Sequence, residues 1–177
     1  MKIVKKYLIF IIALIVLVLM FILNKSMALN ALGTIKISIR EMLLILPPVF
    51  VLLGLLDVWV PRDTMVKFMG EGSGLLGAFI AFIIGSSAAG PLYVVFPIAA
   101  AFMNKGTSFI NILILIGAWS TTKIPMLLFE YGSLGPKFML TRLSLNIPII
   151  LVIAFTINKA MKKNEIDTIY ETAKNAN

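Results

Sequence analysis

Apolar residues in this chain of 177 arrive in blocks close to twenty long, separated by short charged stretches. YLIFIIALIVLVLMFILN (Tyr7–Asn24) and MLLILPPVFVLLGLLDVWV (Met42–Val60) come first, and further blocks cover Leu75–Met103, Phe109–Phe129 and Phe138–Asn158. About twenty apolar residues in a helix cross the roughly 30 Å of bilayer hydrocarbon. With 60% hydrophobic residues, 14% charged and a mean hydropathy of +1.02, the chain lies far from soluble domains, which carry about 25% charged residues. The pattern predicts an all-α integral membrane protein with about five hydrophobic segments, folded as one small bundle.

The segments differ in kind. The basic start MKIVKK and the small residues at Ser26-Met27-Ala28 read either as a signal peptide or as the flanks of an uncleaved first span. The apolar run exceeds the 7–15 residues of a signal core, which favours an uncleaved span with its N-terminus in the cytoplasm. Residues 25–40 are mixed and predict a short interfacial helix or loop. Pro47-Pro48 should kink the second block, because proline removes a backbone donor and crowds the preceding turn. Trp59 near its end fits an aromatic belt. Three regions follow: an N-terminal span with its interfacial segment (1–40), a core with the interrupted helices (41–158), and a charged, solvated tail (159–177).

A net charge of +8 raises the question of nucleic acid, but the basic residues sit at block ends and form no stripe. The positive-inside rule and anionic lipid headgroups account for them, so membrane lipid is the expected partner and nucleic acid is not. No cysteine is present, which removes disulfides, iron–sulfur clusters and thiolate metal sites. No histidine is present either, which removes zinc-peptidase motifs and Ser-His catalysis. Without paired carboxylates or a nucleophile–base set, the chain is expected to be no enzyme and to need no cofactor or metal.

The third block holds the oddity: IIGSSAAGPLYVVFPIAAAF (Ile83–Phe102) breaks its own helix with Gly85, Gly90, Pro91 and Pro97. Twenty-nine residues of straight helix would run about 43 Å. The block is therefore either one broken span or a re-entrant hairpin of two half-helices. A hairpin entering and leaving on the cytoplasmic side puts ten of the sixteen Lys and Arg inside and five outside, with Lys123 left in the membrane. A full crossing gives seven inside and eight outside, so the positive-inside rule favours the hairpin. A chain this balanced also has the option of inserting both ways and pairing antiparallel.

The fourth block, FINILILIGAWSTTKIPMLLF, repeats the grammar: an apolar arm ending at Gly117, then AWSTTK, then Pro125 and a second arm. Helix interruptions in lipid survive only where protein or a wet cavity satisfies the freed backbone groups. Paired Gly/Pro-interrupted segments of this kind point to a midplane solute site, although Gly and small residues also serve close helix packing. Ser86 and Ser87 at the first break, and Ser120, Thr121 and Thr122 at the second, supply hydroxyls; Tyr93 and Trp119 flank them. Lys123 is the sharpest residue, the lone charge between Phe109 and Phe129. A lysine at the bilayer centre costs at least about 2.5 kcal/mol, and seven helical residues, about 10.5 Å, separate it from Glu130. It reads as a countercharge for an anion or a proton carrier, against structural pairing or snorkelling. Interfacial solvation suffices for Glu130 and Asp57, while Arg142 either snorkels or faces a cavity.

AGPLYVVFPIAAAFMNKG (Ala89–Gly106) followed by GAWSTTKIPMLLFE (Gly117–Glu130) resembles the predicted permease family that includes the organoarsenical efflux permeases and the YraQ-type proteins. The likeness covers roughly Met42–Asn158. It implies a multi-pass protein of the cell membrane that moves a small solute, driven by an ion gradient. Family members are usually about twice this length in two related halves, and this chain looks like one half. That implies a dimer, with a second copy or with a companion half-permease. Members often carry cysteines at the break; here GSSAAGP has none, so this chain alone offers no thiolate capture of arsenic. The solute is then an anion or a metalloid species: either a companion supplies the thiols, or the substrate differs, as an oxyanion or small anion matched to Lys123 and the hydroxyls would. The alternative is a non-transporting membrane scaffold whose breaks are dry packing contacts.

Overall fold

A computed structural model describes residues 2–87 and 90–175, and among them the regular structure is entirely helical. The chain divides into two compact units, Met1–Pro48 and Val49–Asn177.

The first unit holds α1 (Lys2–Leu23) and the beginning of α2 (Lys25–Trp59). A single residue, Asn24, separates them, and its Oδ1 accepts a hydrogen bond from Met27 N at 3.1 Å, as an N-cap does. Residues 25–40, expected as a separate interfacial helix or loop, are instead the first turns of α2. Between the Asn24 cap and Pro47 the sequence offers no breaker except Gly33, which a helix tolerates at about 1 kcal/mol. The helix continues through Pro47 and Pro48, where the border between the two units falls.

The second unit contains the interrupted segments. After α3 (Arg62–Met69) the chain bends by 112° into α4 (Gly74–Ser87). A short 3₁₀ turn, Leu92–Val94, then leads into α5 (Val95–Asn104). Fourteen helical residues in α4 rise about 21 Å, too short to cross the hydrocarbon. The entry of α4 and the exit of α5 lie together: Ser108 N and Asn111 Nδ2 both donate to Met69 O, at 2.8 and 2.9 Å. The far ends meet the second interruption, described below. α4 and α5 therefore form an antiparallel hairpin of two half-length helices. Pro97 does not break it. It falls in the first turn of α5, where a proline's missing N–H would have had no partner.

α6 (Phe109–Thr121) runs parallel to α4 and packs closely along it. Lipid removes the hydrophobic drive between helices, so small residues that let backbones approach carry the association. Gly85 shows why: a Cβ placed there would sit 2.5 Å from Leu115 O and 2.9 Å from Ala118 Cβ. Asn111 closes the other end by donating to Ser73 Oγ at 3.0 Å. α7 (Ile124–Leu134) continues from α6, and after Gly135 α8 (Pro136–Ala160) returns against both. Phe109–Leu134 and Pro136–Ala160 are long and apolar enough to cross a membrane, with the bent α3–α4 pair as a further candidate. Their outward faces are apolar; Phe79, Leu128, Phe129 and Val152 are all exposed.

α9 (Lys163–Asn175) lies largely exposed but is not free of the bundle. One face docks on α5 and the loop that follows: Ala173 is buried, and Tyr170 Oη donates to Thr107 O at 2.6 Å. Burial, with the Glu71 carboxylate nearby, pushes the Tyr170 phenol from 10.0 up to about 12. The neutral phenol is thus the docked form. Its contribution is complete below the unfolded value of 10.0 and lost as pH rises through about 12. Tyr170→Phe should weaken docking by about 1 kcal/mol and remove that alkaline dependence, read as amide exchange across residues 163–175.

Candidate functional site

Both interruptions come together at one end of the α4–α6 pair. Ser86, near the end of α4, lies 3.0 Å from Thr122, the residue that closes α6. Thr122 Oγ1 already donates to Ala118 O at 2.9 Å, so its single proton is committed and Ser86 is the donor between the two hydroxyls. Both side chains are buried, Thr122 completely. One residue further, Lys123 Nζ reaches across to Gly90 O at 2.6 Å. Gly90 holds φ at +117°, a turn that side-chain-bearing residues rarely adopt. With Pro91 next, it leads the chain into the 3₁₀ turn before α5. Ala88 and Ala89 lie outside the described residues.

A broken helix exposes carbonyls, and nearby side chains cover several of them. Ser120 Oγ and Thr121 Oγ1 both donate to Gly117 O, at 2.8 and 2.9 Å. Thr122 covers Ala118 O with its hydroxyl and also with its own N–H, at 2.9 Å each. Arg142 Nη2, from α8, donates to Thr121 O at 2.9 Å. Lys123 does the same for Gly90 O. The hydroxyl cluster is thus partly committed to backbone carbonyls, the back-bonding habit of Ser and Thr at helix ends.

The predicted residues divide accordingly. Lys123, Thr121, Thr122 and Ser86 meet at the junction, with Lys123 and Thr121 half-buried. Ser87, Ser120 and Tyr93 are exposed on the same end of the structure. Trp119 is buried, and its indole Nε1 has no hydrogen-bond partner among the described residues. Pro125 opens α7 within its first two positions, where proline belongs. Gly117 and Gly85, expected at the breaks, lie inside their helices instead. α6 continues to Thr121, and Gly117 accommodates α8, since a Cβ there would meet Ile150 at 2.9 Å. Small size for packing, not helix rupture, explains both.

Two functional candidates lay outside the expected set. Glu130, assigned to interfacial solvation, is only 5% exposed and pairs with Arg142. Arg142 thereby joins α8 to α7 through Glu130 and to the end of α6 through Thr121 O. The signal was present in the sequence. Opposite charges lie five residues before and seven after Gly135, so an antiparallel turn there sets them at similar depth.

A cavity of about 1090 Å³ opens at the other end of α4 and α6, about 21 Å away along α4. It is lined by the Gly70–Leu75 loop, Thr107–Asn111 and α9, and carries Glu71, Asp167 and Lys163. Its lining thus carries charges of both signs. Lys123 has the opposite character: a half-buried ammonium whose one described partner is a neutral carbonyl.

A family model named ArsP_1, described as a predicted permease, matches residues 26–177. Neither a curated protein nor a solved structure matches the chain.

Proposed function

We propose, for a chain that belongs to the ArsP_1 family of predicted permeases, a half-permease that moves a small anion or oxyanion past the junction of its two broken helices. In general terms the chain is a membrane permease, and its apolar helices are those of a membrane protein. The finer reading rests above all on Lys123. An ammonium taken out of water without a countercharge is expensive, and a neutral carbonyl offsets that only in part. An anion arriving beside Gly90 and Lys123 supplies the missing charge. The N-terminus of α7 begins at the same place, without a side-chain cap, and contributes free N–H groups and partial positive charge.

In this account the α4–α5 hairpin re-enters from the cytoplasmic face of the cell membrane, and the large cavity is the cytoplasmic mouth. A second copy or a companion half closes the other side of the path, because Ser87, Ser120 and Tyr93 are left uncovered by this chain. The scaffold alternative draws on one observation, the closure of Ser120, Thr121 and Thr122 onto their own helix. Uptake into liposomes of the purified chain separates the two. With phosphate, arsenate, sulfate and arsenite as probes, a permease gives saturable uptake of at least one species, absent from empty liposomes. A scaffold gives none.

A further inference from the structure

Among the described residues Glu130 is the acidic side chain that is buried, and nothing in the solute path described so far uses it. Its Oε1 is paired with Arg142 Nη1. Its Oε2 is buried with no hydrogen-bond partner. A buried carboxylate ordinarily engages both oxygens, since an unmet acceptor costs about 1–3 kcal/mol or more. α7 packs on α8, whose charged residues are Lys137, Arg142 and Lys159. No described hydrogen bond or ion pair joins Lys137 or Lys159 to Glu130. On α7 itself the other titratable group is the exposed Tyr131, and Lys123 at its start is engaged with Gly90 O.

We propose that Glu130 is a proton-exchange site that couples solute movement to protons by releasing and re-forming its pair with Arg142. The free oxygen is where the proton adds. Water at the near membrane face supplies it, and Glu130 lies four residues, about 6 Å, from the end of its span at Leu134. No covalent bond between heavy atoms forms or breaks, and Arg142 keeps its own proton and charge. Before the step, carboxylate and guanidinium sum to zero. After it, the neutral acid leaves one positive charge in a partly buried place, which is costly until an anion joins it. Proton and anion therefore enter together, the anion offsetting the charge that the proton adds. Arg142 transmits the change, because its other nitrogen holds Thr121 O at the end of α6, next to Thr122 and Lys123. A merely structural ion pair would stay ionised throughout.

Coupling of this kind presupposes the permease reading above, but protonation can be observed without any transport. Infrared difference spectra of the full chain in liposomes, taken across a pH series, should show in the wild type a protonated-carboxyl C=O component that is absent from Glu130→Gln. If Glu130→Gln fails to insert, the neutral double variant Glu130→Gln with Arg142→Gln serves as the reference. Identical spectra for wild type and variant overturn the proton site. A second arm uses sulfate and phosphate uptake under a gradient of one pH unit. The wild type should accumulate the transported probe about tenfold, and Glu130→Gln should only equilibrate it. Accumulation unchanged in Glu130→Gln also overturns the proposal. Absence of wild-type uptake strikes the permease reading, and the infrared band still decides the fate of Glu130.

Discussion

Lys123→Ala should lower saturable uptake into liposomes about ten- to hundredfold while leaving the amount of inserted protein unchanged. The magnitude follows from removing a charged hydrogen-bond donor, worth about 1.5–3 kcal/mol, from a place where the other nearby cation, the Arg142 guanidinium, is paired with Glu130. Insertion should not suffer, because taking a lysine out of a spanning segment relieves at least about 2.5 kcal/mol of transfer cost. Lys123→Arg retains the charge but not the compact ammonium that reaches Gly90 O at 2.6 Å, so partial activity is expected. If both variants transport like the wild type, Lys123 is a cap for the Gly90 carbonyl and nothing more.

The largest effect on stability is expected at Arg142. Arg142→Ala leaves the Glu130 carboxylate buried without its partner and uncovers Thr121 O at the end of α6. Breaking one side of a buried pair typically costs about 3–5 kcal/mol, a large part of the 5–15 kcal/mol that holds a domain together. Neutralising both partners removes the uncompensated charge and should recover much of the loss. Denaturation in detergent micelles tests this ordering: wild type first, the double neutral variant next, Arg142→Ala last. Arg142→Ala as stable as the wild type would mean that the pair is solvated in the membrane-embedded protein.

What could be read from residues alone follows from the length scale on which each feature is encoded. Apolar blocks, Gly90-Pro91 and the lone lysine are local signals, and each marks a distinctive place in the structure. Lysine and arginine counts favour a re-entrant hairpin over a full crossing, and that orientation in the membrane belongs to the proposal. Features that depend on a neighbour were not legible. Gly85 and Gly117 look like breakers in sequence, yet their role is set by α6 and by Ile150 on α8. Pro97 looked like a third break because proline's tolerance for a first helical turn depends on where that helix begins. The continuity of α2 turned on the Asn24 cap, and α9 docks through Tyr170, a residue lost in a tail that otherwise reads as solvated. Glu130 and Arg142 pair only through the α7–α8 turn, and a charge at a block end looks bland until its opposite is placed beside it.

The central claim is that water and solute reach the meeting point of the two broken helices. A chain without native cysteine permits a clean measurement with Ser87→Cys and Thr121→Cys, each reconstituted in lipid and exposed to a membrane-impermeant, water-soluble thiol reagent. The account predicts that both react and that the transported anion slows both. Two thiols that stay unmodified in inserted, folded protein would contradict it, because the junction would then be dry packing.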